Sequence, residues 1–495
     1  MSRTAVIRLV KTLSKSEKRQ FRLYTRKHTG TKEYITLFDL IDKNDFTQRE
    51  QLEEKFRQSH AGISLDNAAR YLLRILTDCL IQSRVKEDDS FQLLYGLLRV
   101  NMLKERNLPE EGYRELKKLQ QMADVIQDQF INYLFFRQEL NHLAAFNFQG
   151  LTEKKLVEIQ MKARNAIKDI RSTHEHYSLY ELLKYRLQTT GKAVSEEEKR
   201  QLNDLVLSEM SIVNAKAGNN LESRKLHLLF QSSFFTNIGD YRSALKTFYQ
   251  LNSLFEKNKV LWQHPPLDYL AALDGILDSL RTTGRYEEMP FYVARLGQLD
   301  DNTYPEYFRY MVRKSVMIYQ LVLLMGTGEY NAAIAYIEDR DDSLLKAYSM
   351  ADEEKQCELF FCAGRAYYHA GQYKKAQQFI NEIVLIGKVS HQSVIYRAAR
   401  LLSILVHYEG GNLAYLDYEI RSFKRAFQYA SVRLKIESML FKTIKATPAK
   451  NGPVRNRQLW EKIGPVLESA EKDKYEMQLR KYFDFGGWIK QQLTK

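Results

Sequence analysis

A short signal recurs along the second half of the chain and sets what it can fold into. Gly239-Asp240-Tyr241, Gly284-Arg285-Tyr286, Gly328-Glu329-Tyr330 and Gly371-Gln372-Tyr373 repeat, with a degraded fifth copy at Gly411-Asn412-Leu413. The glycines are 45, 44, 43 and 40 residues apart. Three residues after each tyrosine stand Ala244, Met289, Ala333 and Ala376; seven after it stand Phe248, Val293, Ile337 and Ile380. Glycine takes the left-handed conformation that ends a helix, so a short turn can start the next one. Helices joined so tightly run antiparallel. A small residue one turn beyond the tyrosine allows close approach, and the large apolar residue a turn later fills the groove. Each such hairpin keeps an apolar face that only a neighbouring hairpin can cover. The pattern predicts an all-α chain built as an α-solenoid of stacked hairpins.

Other helix signals agree. Ser14 with Glu17, Thr47 with Glu50 and Ser195 with Glu198 have capping-box spacing. Ala69, Leu72, Leu73, Leu76 and Leu80 trace one face of a helix over 65–83. With 8 prolines and 22 glycines in 495 residues, turn residues are too few for a large β-protein. Three cysteines exclude a disulfide scaffold and fit a reducing compartment. No apolar run reaches the roughly 18 to 20 residues of a membrane helix, and Arg8 and Lys11 interrupt any signal-peptide core. The expected location is therefore cytoplasmic. The expected division is a basic helical N-terminal domain over 1–86, the repeat array over 87–446, and capping helices over 447–495.

The segment FFCAGRAYYHAGQYKKAQQFINEI, Phe360 to Ile383, resembles the tetratricopeptide repeat. Phe360, Ala363, Gly364 and Tyr367 match its first-helix signature, Gly371 and Tyr373 its turn, Ala376 and Ile380 its second helix. The likeness covers roughly 222–430, and 88–216 reads as three weaker hairpins. This chain departs from the family period of about 34 residues, and Ser232, Leu277 and Leu321 stand where Gly364 does. The stretches LSKSEKRQF and YFDFGGW are also similar to those of helical-repeat proteins from Bacteroidota, which implies no activity. The tetratricopeptide resemblance implies a groove lined by first helices that holds a protein or peptide partner. Its register places Asp274, Asp278, Arg281, Phe361, Arg365 and Tyr368 in that groove, with Leu229, Ser233, Ile318, Val322 and Met325 alongside. The Lys, Asn and Arg pattern with which the family grips carboxylate tails is missing.

Charge marks a second candidate surface. The net charge is +14, and residues 1–33 hold ten basic residues against Glu17 and Glu33. Lys15, Lys18, Arg19, Arg22, Arg26 and Lys27 form a candidate anion patch for nucleic acid or another polyanion. A smaller basic stretch runs from Lys442 to Lys462. Residues 51–56 and 65–83, with Arg70 and Arg74 on the second helix, have the outline of a helix-turn-helix, but the break between them is longer than that motif prefers.

Catalytic motifs are missing: the sequence has no phosphate loop, no nucleophile elbow and no zinc-protease pair. His174 and His176, two apart on a helix, point to different faces. Cys357 and Cys362 read as small core residues. Glu338, Asp339, Asp341 and Asp342 lack the spacing and glycine turn of a calcium loop. The sequence predicts no catalytic residue, metal or cofactor. The expected function is a non-enzymatic interaction scaffold. The alternative is a nucleic-acid-binding or ligand-sensing regulator acting through the basic N-terminus.

Overall fold

The computed structural model describes residues 2–26, 33–43, 49–60, 62–85, 88–126, 128–190, 196–214, 220–262, 264–339, 344, 353–386, 393–427, 434–446, 453–471, 473 and 476–494. Lys27, Thr47, Ser195, Arg340, Asp341, Asp342 and Lys450 lie outside the described residues, as do the side chains of Arg26, Glu50, Glu198 and Arg455. Among the described residues the regular structure is all helix, with no strand. None of these helices is long and apolar enough to cross a membrane.

The chain forms two compact units, Met1–Ile170 and Arg171–Lys495. The first contains α1 (Ser2–Thr12), α2 (Lys15–Arg26), α3 (Glu33–Lys43), α4 (Arg49–Ser59), α5 (Leu65–Arg84), α6 (Asp89–Glu105), α7 (Pro109–Ile126) and α8 (Gln129–Ala145). Helix α9 (Glu153–Thr190) carries the boundary. The predicted cap at α2 is made in full. The Glu17 backbone N–H donates to Ser14 Oγ at 3.2 Å, and the Ser14 N–H donates to Glu17 Oε2 at 2.7 Å. Phe21, Phe38, Phe56 and Leu72 centre one hydrophobic cluster, and Leu93, Leu116 and Phe135 centre a separate one.

The second unit continues with α10 (Glu196–Arg200), α11 (Asn203–Asn214), α12 (Leu221–Asn237), α13 (Tyr241–Lys257), α14 (Leu267–Thr283), α15 (Met289–Gly297), α16 (Glu306–Gly326) and α17 (Tyr330–Glu338). Then come α18 (Glu353–His369), α19 (Tyr373–Ile386), α20 (Val394–Glu409), α21 (Leu413–Ala426), α22 (Lys435–Ala446), α23 (Pro453–Glu471), α24 (Met477–Arg480) and α25 (Phe485–Thr494). The recurring triplets join α12 to α13, α14 to α15, α16 to α17, α18 to α19 and α20 to α21. Each first helix packs on its own second helix and on the first helix of the next pair.

The turns obey one rule. Gly239, Gly284, Gly328, Gly371 and Gly411 all have φ between 73° and 80°. After each glycine the next N–H reaches the carbonyl five residues back, as from Arg285 to Leu280 and from Gln372 to Tyr367, both at 2.9 Å. Ala244, Met289, Ala333 and Ala376, three after each tyrosine, are fully buried, and Phe248, Val293, Ile337 and Ile380 are buried a turn later. A β-carbon at Gly371 meets no neighbour, so backbone conformation alone opposes it. Gly371→Val is therefore expected to cost about 1 to 2 kcal/mol, read as a lower denaturant midpoint; an unchanged midpoint contradicts the turn's role.

Two packing devices were not anticipated. A β-carbon on Gly275 would lie 2.1 Å from the Phe248 ring, so this glycine, two residues before Leu277, makes the close approach of α14 to α13. Asn107 (φ 60°) ends α6 with the same bond pattern, Leu108 N–H to Leu103 carbonyl at 2.9 Å, just before Pro109 opens α7. Asparagine tolerates the left-handed region through its short polar side chain.

Candidate functional site

Five of the six residues expected to line the groove, Asp278, Arg281, Phe361, Arg365 and Tyr368, meet a segment of their own chain. Residues 476–494, comprising α24 and α25, belong to the 447–495 stretch expected to cap the repeats. α25 packs on α22 and α23, α24 touches both α14 and α20, and the chain between them runs past α18. Lys481 Nζ lies 2.8 and 2.9 Å from the two Asp278 carboxylate oxygens. Arg365 Nη1 donates to the Tyr482 carbonyl at 3.1 Å. Phe361 meets the Tyr482 ring edge-on, and Tyr368 meets Phe483 the same way. Arg281 sits over the Tyr482 ring at 5.7 Å. Farther along, Glu409 accepts from Trp488 Nε1 at 3.0 Å and from Gln492 Nε2 at 3.1 Å. Lys481 against Asp278 and the aromatic pairs with Phe361 and Tyr368 hold the segment along the first helices.

Asp278, Arg281, Phe361 and Tyr368 are consequently buried, as are Leu229, Ile318, Val322 and Met325. Asp274, Ser233 and Arg365 are half-buried. Asp274 does not touch the segment; it accepts from Tyr319 Oη at 3.0 Å and from Lys355 Nζ at 2.6 Å.

Beneath this contact lies a charge network. Arg281 donates from Nε to Asp278 Oδ1 at 2.8 Å and from Nη2 to Glu358 Oε1. Lys355 bridges Asp274 and Glu358. Three cations, Arg281, Lys355 and Lys481, face three carboxylates, Asp274, Asp278 and Glu358. Burial alone would raise the Glu358 carboxyl; Arg281, Lys355 and Lys481 reverse that and hold it well below the usual range. Burial opposes the charge of Lys355, yet Asp274 and Glu358 raise its pKa well above the usual value. Burial, reinforced by Asp274, keeps the Tyr319 hydroxyl protonated. Burial likewise pushes the Cys362 thiol up to about 12, an unreactive state.

Lys355, Glu358, Tyr319, Lys481 and Glu409 were missed from sequence. Lys355 and Glu358 continue the stripe of Phe361, Arg365 and Tyr368 by two turns of α18. That three- and four-residue spacing was the available signal.

His369 adds a pH dependence. Its ring stacks on Tyr330 at 4.4 Å and on Phe483 at 5.6 Å. Burial, then Arg365, push its pKa down from 6.5 to about 4. The folded state thus disfavours protonation that the unfolded chain accepts. His369's contribution is intact above pH 6.5 and is lost as pH falls from 6.5 towards 4. Amide exchange over 482–488 is expected to quicken across that window, and His369→Phe to flatten the trend. An equal trend in the variant removes His369 from the explanation.

Elsewhere the candidates separate. Lys18 pairs with Asp42 at 2.7 Å, and Arg22 with Asp39 and Asp42 at 3.1 and 3.2 Å, so part of the anion patch is neutralised locally. Lys15 and Arg19 are exposed. Arg70 and Arg74 are exposed, and Arg74 lies over Tyr71. His174 is exposed and His176 buried, as their spacing requires. The three cysteines are buried and form no disulfide. Glu338 accepts from Tyr367 and Lys375. No group of three or more His, Cys, Asp or Glu side chains among the described residues is arranged to hold a metal. A comparison with protein-family models finds no match, and one with curated protein sequences finds no significant match.

Proposed function

We propose that this is a non-enzymatic, tetratricopeptide-like scaffold whose first helices form a binding groove for a basic-aromatic peptide segment. The observation that carries the reading is the seating of Lys481, Tyr482, Phe483 and Trp488 against Asp278, Phe361, Arg365, Tyr368 and Glu409. A groove that accepts a segment through one buried cation, a main-chain bond and aromatic anchors has the chemistry of peptide recognition. The chain's own segment is then a tethered ligand, and a partner carrying similar residues competes with it.

The test uses a labelled peptide of residues 476–494. The intact chain should bind it weakly, because the tethered copy is favoured by its effective concentration. Weakening the tethered copy by Tyr482→Ala and Phe483→Ala should tighten binding, and adding Phe361→Ala with Arg365→Glu should abolish the gain. No binding to the weakened variant, with its helicity intact, would mean that these contacts are ordinary core packing. Pairing of Lys18 and Arg22 with α3 leaves the N-terminal polyanion reading to rest on the exposed Lys15 and Arg19.

A further inference from the structure

A cavity of about 810 Å³ lies beside the seated segment, within the size range of ligand pockets. Its basic residues come from four places. Arg242 and Lys246 project from α13, Arg281 and Arg285 lie at the end of α14 and its turn, and Arg365 comes from α18. Arg480 and Lys481 come from the 476–494 segment. Asp484 is the one acidic residue in this lining, and its Oδ1 already accepts from the Gly487 N–H at 2.9 Å.

Some of this charge is spent. Asp278 and Glu358 offset Arg281 and Lys481, and Glu288 offsets Arg285. Arg242, Lys246, Arg365 and Arg480 have no carboxylate partner among the described residues. The Arg365 Nε is buried without a hydrogen-bond partner among them. The C-terminal ends of α14 and α16 border the cavity with Thr283 and Gly326 and bring opposing partial charge, about half a unit each. Four full cations outweigh them.

We propose that this cavity binds an oligophosphate group, two or more linked phosphates, and that the bound anion pins the 476–494 segment to the repeats. A single phosphate satisfies two or three of these donors; linked phosphates supply oxygens to guanidinium forks on separate elements. Arg480 belongs to the segment, while Arg242, Lys246 and Arg365 belong to the repeats. An anion between them replaces repulsion by attraction. The ligand can be a nucleoside polyphosphate or free inorganic oligophosphate, since both present the same group.

The test is calorimetric titration of the full chain with tripolyphosphate, ATP and orthophosphate at low salt, with amide exchange read over 476–494. Tripolyphosphate should bind at one site and slow exchange in the segment. Arg242→Gln, Lys246→Gln and Arg480→Gln together should weaken it by at least about tenfold; these three side chains are exposed, so the fold should survive. Tighter binding of ATP identifies a nucleotide, and tighter tripolyphosphate identifies the free anion; either supports the site. Orthophosphate binding as tightly, or unaltered affinity in the triple variant, overturns it. So does loss of affinity in Lys15→Gln with Arg19→Gln, which moves the site to α2.

Discussion

Arg281→Met is expected to destabilise the second unit by about 3 to 5 kcal/mol. Arg281 is 6% exposed and holds Asp278 and Glu358 at once. Removing it leaves three carboxylates facing two ammonium groups in a desolvated site. The size of the loss reflects the stranded charge, not the worth of the pair. Arg281→Met combined with Glu358→Leu restores the balance and should recover most of the loss in denaturant titrations. The pH profile gives a second check. Glu358 has a lowered pKa in the fold, so its contribution is complete above the unfolded value of 4.5 and is lost as pH falls through its lower folded value. Glu358→Gln should flatten the acid limb of stability below pH 4.5. If the double variant is as unstable as Arg281→Met alone, the network is not an electrostatic unit.

Trp488→Ala is the second large expected effect, about 3 to 5 kcal/mol. The ring is 6% exposed, lies edge-on to Tyr408 at 5.5 Å, and donates to Glu409 at 3.0 Å. Its loss opens a cavity and leaves Glu409 with Gln492 as its donor in the segment. Amide exchange across 476–494 should rise together with the fall in denaturant midpoint. Phe291→Ala, at 68% exposed, should change stability by no more than about 0.5 kcal/mol. Equal effects at the two sites would show that the segment is not anchored by Trp488.

The hairpins could be read from sequence because each is a local device. A glycine turn, a residue three positions after the tyrosine that is alanine in three of the four clear copies and Met289 in the other, and a large one seven after it lie within a dozen residues, and the two positions are buried in all four. Asn107 escaped because the search was for glycine, although Asn107-Leu108-Pro109 makes the same turn. Gly275 escaped because the family register points to Leu277. The groove was legible only as a stripe: the spacing put Asp274, Asp278, Arg281, Phe361, Arg365 and Tyr368 on one face, but gave no sign that Asp278 meets Lys481 or that Phe361 meets Tyr482. That depends on pairing Asp278 with Lys481, a long-range match for which helical periodicity holds no information. Charge was the weakest guide. Lys18 and Arg22 stand in a basic run, yet the acidic residues of α3 meet them in space.

The Asp278–Lys481 bond joins positions 203 residues apart. Repeat hairpins gain their contacts from neighbours and can form in the order in which they are synthesised. This bond cannot. While the ribosome is still making residues 282–480, Asp278 and Arg281 emerge on hairpins whose charges are not yet balanced. At roughly 5 to 20 residues per second, that interval lasts on the order of 10 to 40 seconds. Nascent chains stalled before residue 481 should therefore show early hairpins that are helical but readily cleaved by protease, and chains held on the ribosome by an added C-terminal linker long enough to free residues 476–494 should show the same hairpins protected.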